Sequence, residues 1–108
     1  MNIFKNNLIN ERASIIEALK KLNEGHSSLT LFVLDENNKM VGTLTDGDIR
    51  RKLISGLTLN DSVSKFMSAR FSYIQEGYSV EYVKSVRENA IRLLPLLDKE
   101  MRILKISS

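Results

Sequence analysis

What most constrains this 108-residue chain is that it repeats. Phe32–Thr43 (FVLDENNKMVGT) aligns without a gap on Pro95–Ile106 (PLLDKEMRILKI) once Leu34-Asp35 is laid over Leu97-Asp98. Each copy reads as an apolar strand ending in Leu-Asp, a polar turn and a returning strand, the pattern of an antiparallel hairpin. A helical period precedes each one. Ile15, Ile16, Ala18, Leu19 and Leu22 recur at helical spacing within Ser14–Asn23, as do Val80, Val83 and Val86 within Ser79–Asn89. Ser14 and Ser79 open the two helices, with a small length difference before the strands. A unit this short closes its own core poorly, whereas two copies packed face to face close it well. The repeat predicts an α/β (α+β) fold of pseudo-twofold symmetry, with one copy over residues 1–60 and the other over residues 61–108. The second copy reads as truncated, ending where its counterpart of the helix at Asp46–Gly56 would begin.

Within the first copy, Leu29–Leu34 is a nearly continuous apolar run, which predicts a strand buried on both faces. Asp35–Lys39 is the turn and Met40–Thr45 the returning strand. A polar elbow, Thr45–Asp48, then leads into a basic helix from about Gly47 to Ile54, closed at Gly56 by a left-handed residue. Asp46 is the predicted N-cap, because its carboxylate can accept first-turn N–H groups. Upstream, Ile3 and Phe4, then Leu8 and Ile9, suggest a short strand or arm broken at Asn6 and Asn7. Downstream, Thr58–Ser68 reads as a short helix or turn carrying Leu59, Val63, Phe66 and Met67. Phe71–Ile74 reads as a short strand and Gln75–Tyr78 as a turn. Leu93–Leu97 and Ile103–Ile106 are strands flanking the turn Asp98–Met101.

Composition excludes several function classes. The hydrophobic fraction of 43% supports a soluble core, and no apolar run approaches the roughly 20 residues of a membrane helix. The start, MNIFKNNLINER, has no signal-peptide core. Without cysteine there is no disulfide or thiolate chemistry, which agrees with a cytoplasmic setting. Sixteen basic and thirteen acidic residues give a net charge of only +3, too little by itself to imply nucleic acid as a partner. The single histidine, His26, has no partner for a nucleophile motif. Asp35–Lys39 fails as a calcium loop because Met40 stands where glycine is required. No catalytic or metal site is read, and the chain is expected not to be an enzyme. Met40, Met67 and Met101 read as core or dimer contacts.

The elbow is the candidate binding site. A strand, a polar turn and a helix N-terminus suit a phosphorylated ligand, since first-turn N–H groups point outward along a favourable dipole. Arg50 and Arg51 lie in the first turns as candidate phosphate ligands, although a solvated basic face has the same composition. Asp46 and Asp48 are also what capping and dipole compensation alone would select.

The stretch Gly42–Ser68 (GTLTDGDIRRKLISGLTLNDSVSKFMS) resembles a CBS domain, and the repeat makes the chain similar to a tandem CBS pair, or Bateman module. The general motif of Gly, two apolar residues, Thr, two variable residues and Asp is met by Gly42, Thr45 and Asp48. The longer TDGD-I-RR form resembles the pairs attached to sugar-phosphate nucleotidyltransferases of the mannose-1-phosphate guanylyltransferase type. It is also similar to those of arabinose-5-phosphate isomerases. A pair that begins at Met matches the nucleotidyltransferase arrangement, in which the pair precedes the catalytic domain. The resemblance implies a non-catalytic regulatory module, homodimeric and linked to a catalytic domain, with AMP, ADP or ATP as regulatory ligand and no required cofactor. It implies that Asp48 accepts from the ribose hydroxyls and that Thr45 donates to ribose or phosphate. Backbone groups of Leu29–Leu34 and Leu93–Leu97 would face the base, and Pro95 matches a proline of the family where the first copy has Phe32. The second copy departs from the motif: Lys105 stands opposite Gly42, Ser108 opposite Thr45, and nothing opposite Asp48. A ligand-free dimerisation module is the alternative that this departure implies.

Overall fold

Two three-stranded sheets of the same topology carry the repeat. They are described in a computed structural model covering residues 6–24, 30–77 and 94–107. The first sheet contains β1 (Leu8–Asn10), β2 (Thr30–Leu34) and β3 (Met40–Thr45), and helix α1 (Ile15–Glu24) connects β1 to β2. Helices α2 (Asp46–Ile54) and α3 (Val63–Phe66) follow. The second sheet contains β4 (Ile74–Gln75), β5 (Leu94–Leu97) and β6 (Ile103–Ser107). In each sheet the central strand pairs parallel with the first strand and antiparallel with the last. The predicted mixed α/β class and both hairpins are present.

The two hairpins agree in detail. Each has a register irregularity at the same place, Val33/Leu34 in one and Leu96/Leu97 in the other. In each turn the aspartate side chain caps the loop it opens. Asp35 Oδ1 accepts from the N–H groups of Asn37 (2.8 Å) and Lys39 (3.0 Å), and Asp98 Oδ1 accepts from those of Glu100 (2.9 Å) and Arg102 (2.9 Å). Such side-chain bonds offer the backbone an alternative to the ladder and fix where the strand ends. The length difference before the strands is real. The Glu11 N–H donates to Leu34 and the Glu76 N–H to Leu97, so β1 and β4 are equivalent across two more residues than the hairpins are.

The chain divides into two units after Arg70. The boundary expected after Asn60 falls inside the first unit, and the reason is packing. Val63 and Phe66 are 0% and 1% exposed, within a core made with Ile9, Ile15, Ala18, Leu22, Leu31, Val33, Leu44 and Ile49. Backbone bonds strap this segment to the loop before α1, from the Val63 N–H to Ala13 (2.8 Å) and from the Ser64 N–H to Glu11 (2.9 Å). Each buried aliphatic or phenyl side chain in such a core contributes about 1.5–3 kcal/mol relative to exposure.

Other expectations shift locally. α1 buries Ile15, Ala18 and Leu22 while Ile16 is exposed, because only one stripe of the helix meets the sheet. Ser14 caps α1, its hydroxyl accepting the Glu17 N–H. β2 is buried from Thr30 through Val33, as the apolar run predicts. The strand expected at Phe71–Ile74 is instead the two-residue β4, with Phe71 and Tyr73 meeting ring to ring at 5.6 Å. Leu59 is exposed. α2 ends as expected. Gly56 has φ 116°, its N–H donates to Leu53 and the Leu57 N–H to Lys52, the paired bonds of a Schellman closure. The arm at Ile3 and Phe4, Gly25, His26, the helix expected at Ser79–Asn89, Tyr78, Tyr82 and Ser108 lie outside the described residues.

Candidate functional site

The elbow between β3 and α2 is held by reciprocal hydrogen bonds. Thr45 keeps an extended backbone (φ −120°, ψ 166°) and is the N-cap of α2, in place of the predicted Asp46. Its hydroxyl oxygen accepts the Asp48 N–H at 3.2 Å. Asp48 Oδ2 in turn accepts the Thr45 N–H at 2.9 Å and the Thr45 hydroxyl at 3.0 Å. This is a capping box, which satisfies two helix-start donors reciprocally. Asp46 fails as the cap because β3 runs through Thr45, so Asp46 is already the first helical residue. Its carboxylate pairs with Arg50, one turn along.

Asp48 is the most enclosed charged group of the elbow. Its side chain is 16% exposed, against 70% for Arg51, which donates from Nη2 to Asp48 Oδ1 at 2.8 Å. Thr45, Asp48 and Arg51 thus form one hydrogen-bonded group. Arg50 stands apart on Asp46, since consecutive helical residues do not face the same way. The two arginines therefore do not converge on one position. The Thr45 hydroxyl, expected to donate to a ligand, donates to Asp48 here. Beside the elbow a cavity of about 530 Å³ opens between the end of α1 and the start of α2, with Leu19, Leu22, Asn23 and Asp46 in its lining.

Gly42, the first residue of the motif, has a steric role. A Cβ there would stand 2.7 Å from the Met67 sulfur and 2.8 Å from the Ser68 carbonyl oxygen. Ser68 sits against the outer edge of β3, exchanging two backbone bonds with Thr43 (2.9 and 2.8 Å). Glycine is required for this close approach.

A second Thr-x-x-Asp group went unread in the sequence, and it repeats the carboxylate half of the elbow, its Asp61 N–H donating to the Thr58 carbonyl (3.0 Å) and not to the hydroxyl. Thr58 and Asp61 have the Thr-x-x-Asp spacing of Thr45 and Asp48. Asp61 Oδ2 accepts the Thr58 N–H (2.8 Å) and hydroxyl (3.1 Å), and Lys65 Nζ lies 3.3 Å from Oδ1. The Thr58 N–H holds the Asp61 carboxyl below its ordinary pKa; partial burial opposes this, and Lys65 adds to the lowering. The repeated spacing was the available signal.

Comparisons with known proteins agree with this geometry. Residues 7–55, from before β1 to the end of α2, match the CBS domain family. An uncharacterized protein of Helicobacter pylori strain J99 is 30% identical over 101 residues, a stretch covering 92% of this chain and 30% of that protein. A second Helicobacter pylori protein, from strain 26695, is 28% identical over the same length and also covered to 30%. The chain therefore spans under a third of these relatives. Among solved structures, Staphylococcus aureus OpuCA superposes with a TM-score of 0.75 at 21% identity, covering 94% of this chain and 83% of that one. CBSX2 of Arabidopsis thaliana in complex with AMP gives 0.72 at 24% identity, covering 96% and 82%. The cytosolic domain of the Mg²⁺ channel MgtE in complex with ATP gives 0.72 at 20% identity, covering 94% and 41%. The fold is that of CBS-pair proteins. Among the described residues no helix is long and apolar enough to cross a membrane.

Proposed function

We propose that the chain is a non-catalytic regulatory module that binds an adenine nucleotide through the Thr45–Asp48 elbow and modulates an attached enzyme. The observation that carries this reading is the capping box itself. It fixes a carboxylate, 16% exposed, at the end of β3 within the segment that matches the CBS domain. An ionised carboxylate only accepts hydrogen bonds, and a ribose presents two adjacent donors, so Asp48 is the ribose ligand. Arg51, beside Asp48, supplies the cation for phosphate, while Arg50 stays on Asp46. The presence of AMP and ATP in structures of similar fold supports the ligand class. The attached enzyme is a sugar-phosphate nucleotidyltransferase, as the TDGD-I-RR resemblance implies. Relatives about three times as long as the matched stretch leave room for it. The module acts in the cytoplasm as part of a homodimer. Regulation requires the ligand to bind two arrangements of the module unequally.

The test is calorimetric titration of AMP, ADP, ATP, GTP and S-adenosylmethionine into the chain and its Asp48→Asn variant. Adenine nucleotide binding that Asp48→Asn weakens about tenfold or more is expected, since a charge-assisted bond is lost. A second reading, a ligand-free dimerisation module, draws on a specific observation: Thr45 and Asp48 satisfy each other in a capping box, a structural role for both residues of the motif. It predicts a dimer whose titrations show no heat with any of the five compounds.

A further inference from the structure

The acceptor count at Asp48 has a consequence for which ligands the elbow admits. A carboxylate offers about four acceptor positions. Two on Oδ2 are taken by the Thr45 N–H and hydroxyl, and one on Oδ1 by Arg51. One position remains, and a ribose diol brings two donors. The bond from the Thr45 N–H belongs to the helix cap and is not free to leave, and the Thr45 hydroxyl, whose oxygen is held by the Asp48 N–H, stays within 3.0 Å of Oδ2. The Arg51 bond is different: the side chain is 70% exposed, and its guanidinium reaches Asp48 by folding over Gly47, where a Cβ would lie only 3.1 Å from Nη1. We propose that Arg51 is a specificity-determining residue. It holds one of the ribose positions on Asp48 in the free protein and releases it only to a ligand whose phosphate takes up the guanidinium. The elbow would then select phosphorylated nucleosides over free nucleosides by a competition internal to the chain. This rests on the ribose reading of Asp48 given above.

The phosphate is the reason the exchange is favourable. Releasing Arg51 to water loses an ion pair of small worth, whereas transferring it to a phosphate replaces one charge-assisted contact with another, of bidentate geometry. Adenosine brings the diol without the phosphate and must displace Arg51 uncompensated.

The experiment is titration of adenosine and AMP into the wild-type chain, Arg51→Ala and Gly47→Ala, with circular dichroism to confirm that α2 persists. Wild type is expected to prefer AMP. Arg51→Ala should tighten adenosine by about two- to fivefold, the scale of a half-exposed ion pair. It should also lower the AMP-over-adenosine preference by about tenfold. Gly47→Ala presses on the guanidinium by a few tenths of an ångström and loosens its bond to Asp48 while leaving it available to phosphate, so adenosine tightens by less than in Arg51→Ala and AMP does not weaken. Arg51→Ala moving both ligands by the same factor, or leaving adenosine unchanged, overturns the exchange while the ribose reading stands. Absence of binding by either ligand to all three proteins overturns both.

Discussion

The hairpins β2–β3 and β5–β6 share topology, turn and irregularity, yet differ in what surrounds their last strands. β3 is an edge strand whose outer side is covered by the chain itself: Thr43 and Ser68 exchange backbone bonds there, and Gly42 lets them approach. Among the described residues β6 is also an edge strand, and at the place of Gly42 it carries Lys105, which is exposed. An exposed lysine is a common way to protect an edge from unwanted pairing. The same pleated scaffold is thus finished once by a close backbone contact and once by a charge. The difference explains why glycine stands at this register in the first unit and a side chain is admitted there in the second. Glycine is needed where Ser68 docks, and Thr45 and Asp48 are needed where β3 turns into a capped helix.

The largest effect should come from breaking the covered edge. Gly42→Ala places a methyl group within 3 Å of a backbone carbonyl that is itself hydrogen-bonded to Thr43. The carbonyl cannot swing aside as a side-chain end can, so overpacking should cost about 1–3 kcal/mol in urea unfolding. Lys105→Ala, its counterpart, should fall within about 0.5 kcal/mol of wild type. Equal costs at the two positions would mean that the edges are not managed differently. Next comes the cap. Thr45→Ala should lose about 1 kcal/mol, and Thr45→Ser should recover most of it, because the hydroxyl rather than the methyl accepts the Asp48 N–H.

Much of this was legible because it is local. The Leu-Asp pairs gave the repeat away because Asp35 and Asp98 build the turns with their own side chains. The Gly56 closure was likewise readable from one residue. The cap was not, since Thr45 and Asp46 are both good capping residues and only the length of β3 decides between them. The pairing of Arg51 with Asp48, and of Arg50 with Asp46, depends on side-chain choices at spacings of three and four that are both available on a helix. Least legible was the covered edge. Nothing in the local pattern at Gly42 announces that Met67 and Ser68, some 25 positions on, come to lie against it. Long-range packing likewise carries the first compact unit past the repeat boundary at Asn60 to Arg70, because Val63 and Phe66 enter the first core.

The turns offer a finer comparison. Asn38 and Met101 occupy equivalent positions, both left-handed, with φ 63° and 69°. Asparagine tolerates that region, whereas a long side chain incurs about 1 kcal/mol or somewhat more. Met101→Asn should therefore stabilise by about 1 kcal/mol in thermal unfolding, and Asn38→Met should destabilise by a similar amount. If Met101→Asn lowers the melting temperature, the contact of the Met101 sulfur with Gln75 Nε2 (3.7 Å) outweighs the strain.

The smallest expected effect separates the units by pH. Asp61 belongs to the first unit, and no described Thr-x-x-Asp elbow exists in the second. Its carboxyl is held below 3.8 in the fold, first by the Thr58 N–H and, against partial desolvation, by Lys65. The folded state thus favours the ionised form. The resulting stabilisation is present above the unfolded value near 3.8 and is lost as pH falls below it through the lowered folded value. Asp61→Asn keeps an acceptor for Thr58 but offers no charge to Lys65. Unfolding midpoints of wild type and Asp61→Asn should differ by a constant amount at neutral pH and converge below 3.8. A gap that stayed constant into acid would show that the carboxylate's charge does not stabilise the elbow. The contribution of Asp61 would then lie in hydrogen-bond geometry alone.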